Sequence, residues 1–115
     1  MYEDNIEVEH INELWFNQYS SVDSEFKLRF VKLAKKEIKK SAKALKNGIL
    51  NKDLKAIKAA GHKLKGTSLT VGLTEMSKYA VAFELLEEFD EDYLNDLMES
   101  LQLEINIVNE LLSNE

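Results

Sequence analysis

Two histidines, His10 and His62, and no cysteine set the limits of what this chain can do chemically. Thiolate nucleophiles, disulfides and cysteine-based metal sites are excluded, so nucleophilic chemistry has to centre on imidazole. His62 sits in the run Gly61-His62-Lys63-Leu64-Lys65-Gly66. On a helix its surface neighbours are Lys58 four residues before, Lys65 three after and Gly66 four after. An exposed histidine among lysines is, by itself, an ordinary solvated face. The two glycines change that reading. A glycine in a helix interior costs about 1 kcal/mol relative to alanine. Gly61 is explained as a small residue on a packing seam, whereas Gly66 points outward, where a side chain would serve stability better. A partner that must approach the backbone beside His62 explains it. Neutral imidazole is a good nucleophile, and a phosphoryl group on it would carry about two negative charges that Lys65, one turn on, can offset. The pattern therefore points to phosphoryl acceptance.

His10 supports no second chemistry. Glu7-x-x-His10 is half of a carboxylate-bridged di-metal motif, but the residue three before His62 is Ala59, so the other half is missing and His10 reads as a surface or interfacial residue. No glycine-rich phosphate loop of the Walker type is present. Trp15, Phe16, Phe26 and Phe30 read as core or as docking of an N-terminal helix rather than as a ligand box.

Helical periodicity supplies the elements that must position His62. A first helix over about residues 5–18 carries Ile6, Ile11, Leu14 and Trp15. Asp23 then offers an N-cap to a long helix over 24–46, with Phe26, Phe30, Leu33, Ala34, Ile38, Ala42 and Leu45 inward and Asn47-Gly48 as its end. The histidine-bearing helix spans 51–71, with Asn51 as N-cap, Gly72 as stop, and a seam of Leu54, Ile57, Gly61, Leu64, Ser68 and Val71 in steps of three and four. One residue past seam position Gly61, His62 is rotated roughly 130° from the middle of that stripe, so its imidazole faces water. Helices over 74–88 (Met76, Tyr79, Ala80, Phe83, Leu86) and 91–113 (Leu94, Leu97, Leu101, Ile105, Val108, Leu111) follow. Short connections predict an all-α, antiparallel up-down four-helix bundle with an additional N-terminal helix, residues 1–115 forming one domain.

Charge is segregated along these elements. The 115 residues have a formal net charge of −6. Residues 27–65 hold fourteen of the fifteen Lys/Arg against two acids, whereas 1–26 carry seven acids and no base and 66–115 carry twelve acids and one base. A lysine-rich helix raises a rival function, a basic-faced helical adaptor that binds nucleic acid or an acidic protein without phosphotransfer. Against nucleic acid stand lysines spread around much of the helix, acidic flanks, and the lack of an arginine-rich or aromatic-interleaved stripe. Ion pairs across the bundle account for the distal lysines. Lys55, Lys58, Lys63 and Lys65, near the histidine, suit attraction of an acidic protein partner. No apolar run approaches the roughly 18 residues that span a bilayer, and the acidic start is unlike a secretory signal, so a cytoplasmic, monomeric protein without membrane insertion is expected.

The run His62-Lys63-Leu64-Lys65-Gly66-Thr67-Ser68-Leu69-Thr70-Val71-Gly72 closely resembles the His-x-Leu-Lys-Gly-[Ser/Ala/Thr]-[Ser/Ala]-x-x-x-Gly signature of histidine-containing phosphotransfer (HPt) domains. Leu73, Met76, Ala80, Phe83 and Glu84 fall where that family usually shows Ala-x-x-Leu-x-x-x-Cys-x-x-Leu-Glu. Ala80 for Cys and Phe83 for Leu are departures that keep apolar core types. The match covers residues 57–84; the flanking helices agree in number and length. The resemblance implies that His62 accepts and donates the phosphoryl group, that Lys65 stabilises it, and that Gly66 leaves room for the partner. It further implies that Thr67 and Ser68 let the helix pack, that Gly72 terminates it, and that Glu84 orients the imidazole or holds the helix pair. Leu69 joins Lys55, Lys58 and Lys63 as expected partner contacts. Implied partners are response-regulator receiver domains and a sensor histidine kinase, hybrid or otherwise. The receivers bring the acidic pocket and the Mg²⁺, so no cofactor or metal of the chain's own is expected.

Overall fold

The computed structural model describes residues 10–12 and 24–113. Four helices occupy them: α1 (Ser24–Leu50), α2 (Leu54–Val71), α3 (Thr74–Glu84) and α4 (Glu91–Ser113). Among the described residues there is no strand. α2 packs chiefly against α1 and α3, and α4 closes the bundle against α1 and α3. No helix among the described residues is long and apolar enough to cross a membrane.

α1 continues past its expected end. Gly48 lies inside the helix, and a Cβ there would sit 2.8 Å from Ile57 Cγ1. This glycine serves close packing of α1 on α2, and the left-handed turn residue is Lys52 instead, at φ 55°. Asp53, not Asn51, caps α2: its carboxylate accepts from the Ala56 N–H at 3.1 Å. The other end of α2 matches expectation. Gly72 adopts φ 75°, its N–H donates to the Leu69 carbonyl, and Leu73 N donates to the Ser68 carbonyl at 2.8 Å, the paired bonds of a Schellman cap. α3 stops at Glu84 rather than at 88. Glu87, Glu88 and Asp90 follow directly, and carboxylates at a helix C-terminus oppose its dipole. Asp90 instead caps α4, accepting from Tyr93 N at 3.2 Å.

The core follows the expected seams with instructive slips. On α2, Ile57, Ala60, Gly61, Leu64, Ser68 and Val71 are buried, while Leu54 is half-buried. On α4, Met98 and Leu112 take the inward places expected for Leu97 and Leu111; Leu97 is half-buried and Leu111 exposed. On α1, Val31, Ala34, Ile38, Ser41, Ala42 and Leu45 face inward. Phe26 and Leu33 do not; Leu33 is 58% exposed and Phe26 stacks on Phe30 at 5.8 Å between ring centroids.

His10, Ile11 and Asn12 form a non-helical bend, which corrects the expected helix there; Ile6, Leu14, Trp15 and Phe16 lie outside the described residues. Asn12 N donates to the Gly72 carbonyl at 2.7 Å, and Ile11 packs on the core. His10 Nδ1 meets Glu104 Oε2 at 2.7 Å, so this histidine is interfacial and anchors the segment to α4. Burial pushes the Glu104 carboxyl above its ordinary value, and the His10 contact works against that rise.

Candidate functional site

The site is built where α2 crosses α3. Gly61 allows the crossing: a Cβ there would lie 2.8 Å from Glu84 N and from Phe83 Cβ, and 3.0 Å from the Ala80 carbonyl oxygen. Substituting any side chain would push the last turn of α3 away. That turn carries Glu84, whose carboxylate reaches over α2. Its Oε2 lies 2.6 Å from His62 Nδ1 and its Oε1 2.8 Å from Lys65 Nζ. One carboxylate therefore bridges the histidine and the lysine one turn beyond it.

The charge state follows from the contacts. The Glu84 carboxyl is held below its ordinary value, chiefly by the hydrogen bond from Lys65 and then by that from His62. It is thus ionised near neutrality and only accepts, which requires His62 Nδ1 to carry the proton and donate it. Nε2 is left as the basic nitrogen of the neutral ring. The imidazole is 70% exposed, as its place on the helix predicted.

A pH dependence follows. Because the folded-state value is depressed, the bridge is intact above about pH 4.5, the unperturbed carboxyl value, and is lost as pH falls through the lowered value. Nuclear magnetic resonance titration of the Glu84 carboxyl carbon is expected to place its midpoint below 4.5. A midpoint above that value would show that the bridge does not form.

Gly66, the other end of the site, has nothing outside its own helix within 4 Å of the position a Cβ would occupy among the described residues. It borders an open groove of about 450 Å³ between α1 and α2, lined mainly by apolar surface including Phe30, Leu33 and Val71, with His62 and Lys63 at its edge. Leu33, read from sequence as inward, therefore lines a groove that His62 also borders, and Phe26 is exposed and stacked on Phe30.

The expected site residues gather to different degrees. By helical rotation Lys55, Lys58, Lys65, Gly66 and Leu69 all lie within about 60° of His62 around the α2 axis. Leu69 is 61% exposed. Lys63 borders the groove. Ser68 is wholly buried, as its packing role requires, and its Oγ makes no hydrogen bond among the described residues. Gly72 lies in the cap, and Thr67 is half-buried and lines the α1–α2 groove, its Oγ1 donating to the Lys63 carbonyl. Glu84, supplied by the family resemblance alone, becomes the organising residue.

Lys27 apart, the α1 lysines Lys32, Lys35, Lys36, Lys39, Lys40, Lys43 and Lys46 share one arc of about 140° by helical rotation. Among the described residues none of them forms an ion pair across the bundle. Lys35 Nζ donates instead to Ser113 Oγ at 2.7 Å.

The model of one family, the Hpt domain, matches residues 29–113, a stretch that runs from the second turn of α1 to the end of α4. No curated protein and no solved structure matches the chain.

Proposed function

The chain belongs to the Hpt domain family, phosphocarriers of two-component phosphorelays, and from that premise we propose that His62 is its phosphoryl acceptor and donor, serving receiver-domain aspartates reversibly. The observation that carries the proposal is the bridge: Glu84 fixes the proton on Nδ1, so the nucleophilic lone pair is on the exposed Nε2.

In this reading Nε2 attacks the phosphorus of a receiver's aspartyl phosphate. The N–P bond forms as the bond from phosphorus to the aspartyl oxygen breaks, and the aspartate leaves with the electron pair. Positive charge developing on the imidazole is stabilised by the Glu84 carboxylate 2.6 Å from Nδ1. Lys65, anchored on the same carboxylate, stands one turn away with further N–H donors for the phosphoryl oxygens. The reverse attack by a second receiver's aspartate discharges the histidine. Mg²⁺ belongs to the receiver's acidic pocket, and this chain contributes only its own side chains. Sensor histidine kinases feed such a relay through a receiver.

Docking would cover the face that Lys55, Lys58 and Leu69 share with His62, together with the α1–α2 groove bordered by Lys63. The lysines would mainly raise the encounter rate with an acidic pocket. Gly66 would let the receiver's loops reach Nε2.

The test uses the full chain and a radiolabelled, phosphorylated receiver domain with Mg²⁺. Expected is rapid movement of label onto the chain as an acid-labile, base-stable adduct. Failure of label to appear, with the receiver losing phosphate only at its intrinsic rate, would overturn the assignment.

A further inference from the structure

The lysine arc of α1 borders a second groove, of about 670 Å³, between α1 and α4. Lys35, Lys39, Lys43 and Lys46 form its rim, and Ile38, Ala42 and Ile105 are among the residues that line it. Like charges this dense, with no carboxylate within ion-pair reach among the described residues, repel one another unless something acidic lies over them. An apolar lining beneath a cationic rim fits an acidic amphipathic helix better than a phosphodiester backbone, which has no apolar face to bury.

The chain carries such a helix. On the outer face of α4, Asp96, Glu99 and Glu110 share an arc of about 60°. Leu103 falls inside that arc and Ile107 at its edge, 61% and 41% exposed. These three acids likewise form no ion pair among the described residues. We propose that a second copy of this chain docks on the α1–α4 face, giving a two-fold dimer in which the acidic, apolar face of each α4 lies over the lysine rim of its partner.

The register supports the match. The Lys35–Ser113 bond and the shared groove lining place Lys39 level with Asn109, and Lys46 level with Gln102, on antiparallel helices. A two-fold axis parallel to the helices sets α1 over the partner's α4. Lys39 then meets the partner's Glu110 and Lys46 the partner's Glu99, each pair being made twice. Leu103 and Ile107 cover lysine stems and the groove lining. A helix face about 20 Å long buries less than the roughly 800 Å² per partner of a standard interface, so association is weak and salt-dependent. The face is distinct from the His62 surface, and the dimer is independent of the phosphotransfer reading.

Sedimentation equilibrium of the full chain from about 10 µM to about 1 mM tests it, with dissociation expected to strengthen about tenfold between ~50 and ~500 mM salt. Lys39→Glu/Lys46→Glu and Glu99→Lys/Glu110→Lys are each expected to be monomeric with unchanged circular dichroism and unchanged label uptake from a phosphorylated receiver. Their equimolar mixture is expected to associate again, because both contacts are restored with signs exchanged. A wild-type chain that stays monomeric at about 1 mM in low salt would overturn the proposal. So would folded charge variants that fail to associate on mixing, or a monomer whose α1 lysines instead bind duplex DNA or anionic vesicles.

Discussion

His62→Gln is expected to leave the bundle folded and to reduce phosphoryl uptake from a receiver by at least about 1,000-fold, to the detection limit. The size of the effect follows from the chemistry available. The chain has no cysteine, and its other histidine, His10, is occupied at Nδ1 by Glu104 and half-buried at the N-terminal segment. Serine and threonine hydroxyls near the site lack a basic partner; Thr67 and Thr70 donate to main-chain carbonyls of their own helix. The fold should not suffer. His62 is 70% exposed, and glutamine can still donate a side-chain N–H to the Glu84 carboxylate, so Lys65 and the α2–α3 crossing keep their anchor. Melting temperature within a few degrees of wild type, combined with absent label, is the expected pair of results. Label persisting on the variant would assign acceptance elsewhere.

Much of this geometry was legible in the sequence, for reasons that differ from helix to helix. The α2 seam is readable because Ile57, Gly61, Leu64, Ser68 and Val71 recur in steps of three and four while every lysine of the helix falls off that stripe, and the outward place of His62 follows from it. α4 is less determinate. Its pairs Leu97-Met98 and Leu111-Leu112 offer two adjacent apolar residues, and periodicity alone does not choose between them. Phe26 and Leu33 mislead for a different reason: apolar type does not fix an inward direction, and these residues lie on the flank of α1 beyond the arc that its neighbours cover. Gly48 shows that a glycine near a helix end has two uses, and here close approach to Ile57 wins over a left-handed turn. The Glu84 bridge spans residues 22 apart in the chain and depends on how closely α3 approaches Gly61, a tertiary fact. Only the family resemblance flagged Glu84. The His10–Glu104 contact, 94 residues apart, left no sequence signal beyond an acid on an otherwise apolar face of α4.

Gly66→Arg is expected to separate stability from function with opposite signs. Among the described residues nothing outside its own helix lies within 4 Å of the position its Cβ would take, so the side chain displaces none of them. Replacing an exposed helical glycine by a better helix former stabilises by about 1 kcal/mol, and the melting temperature should rise by several degrees. Phosphotransfer should fall by about 100-fold. The new side chain stands one turn from His62, on the same face, where a receiver's loops must close to within bonding distance of Nε2, and misplacement of reacting atoms by about 1 Å costs on the order of 100-fold. Its positive charge makes the test sharper. If the lysines beside His62 act mainly by attracting an acidic partner, adding a cation should speed encounter, so a slower reaction can only reflect obstruction. Gly66→Ala supplies the graded control, with most of the stability gain and a loss of a few-fold at most. Single-turnover transfer measured on both variants at saturating receiver distinguishes the cases. A Gly66→Arg chain that is more stable and equally fast would show that this glycine leaves no room that the partner uses.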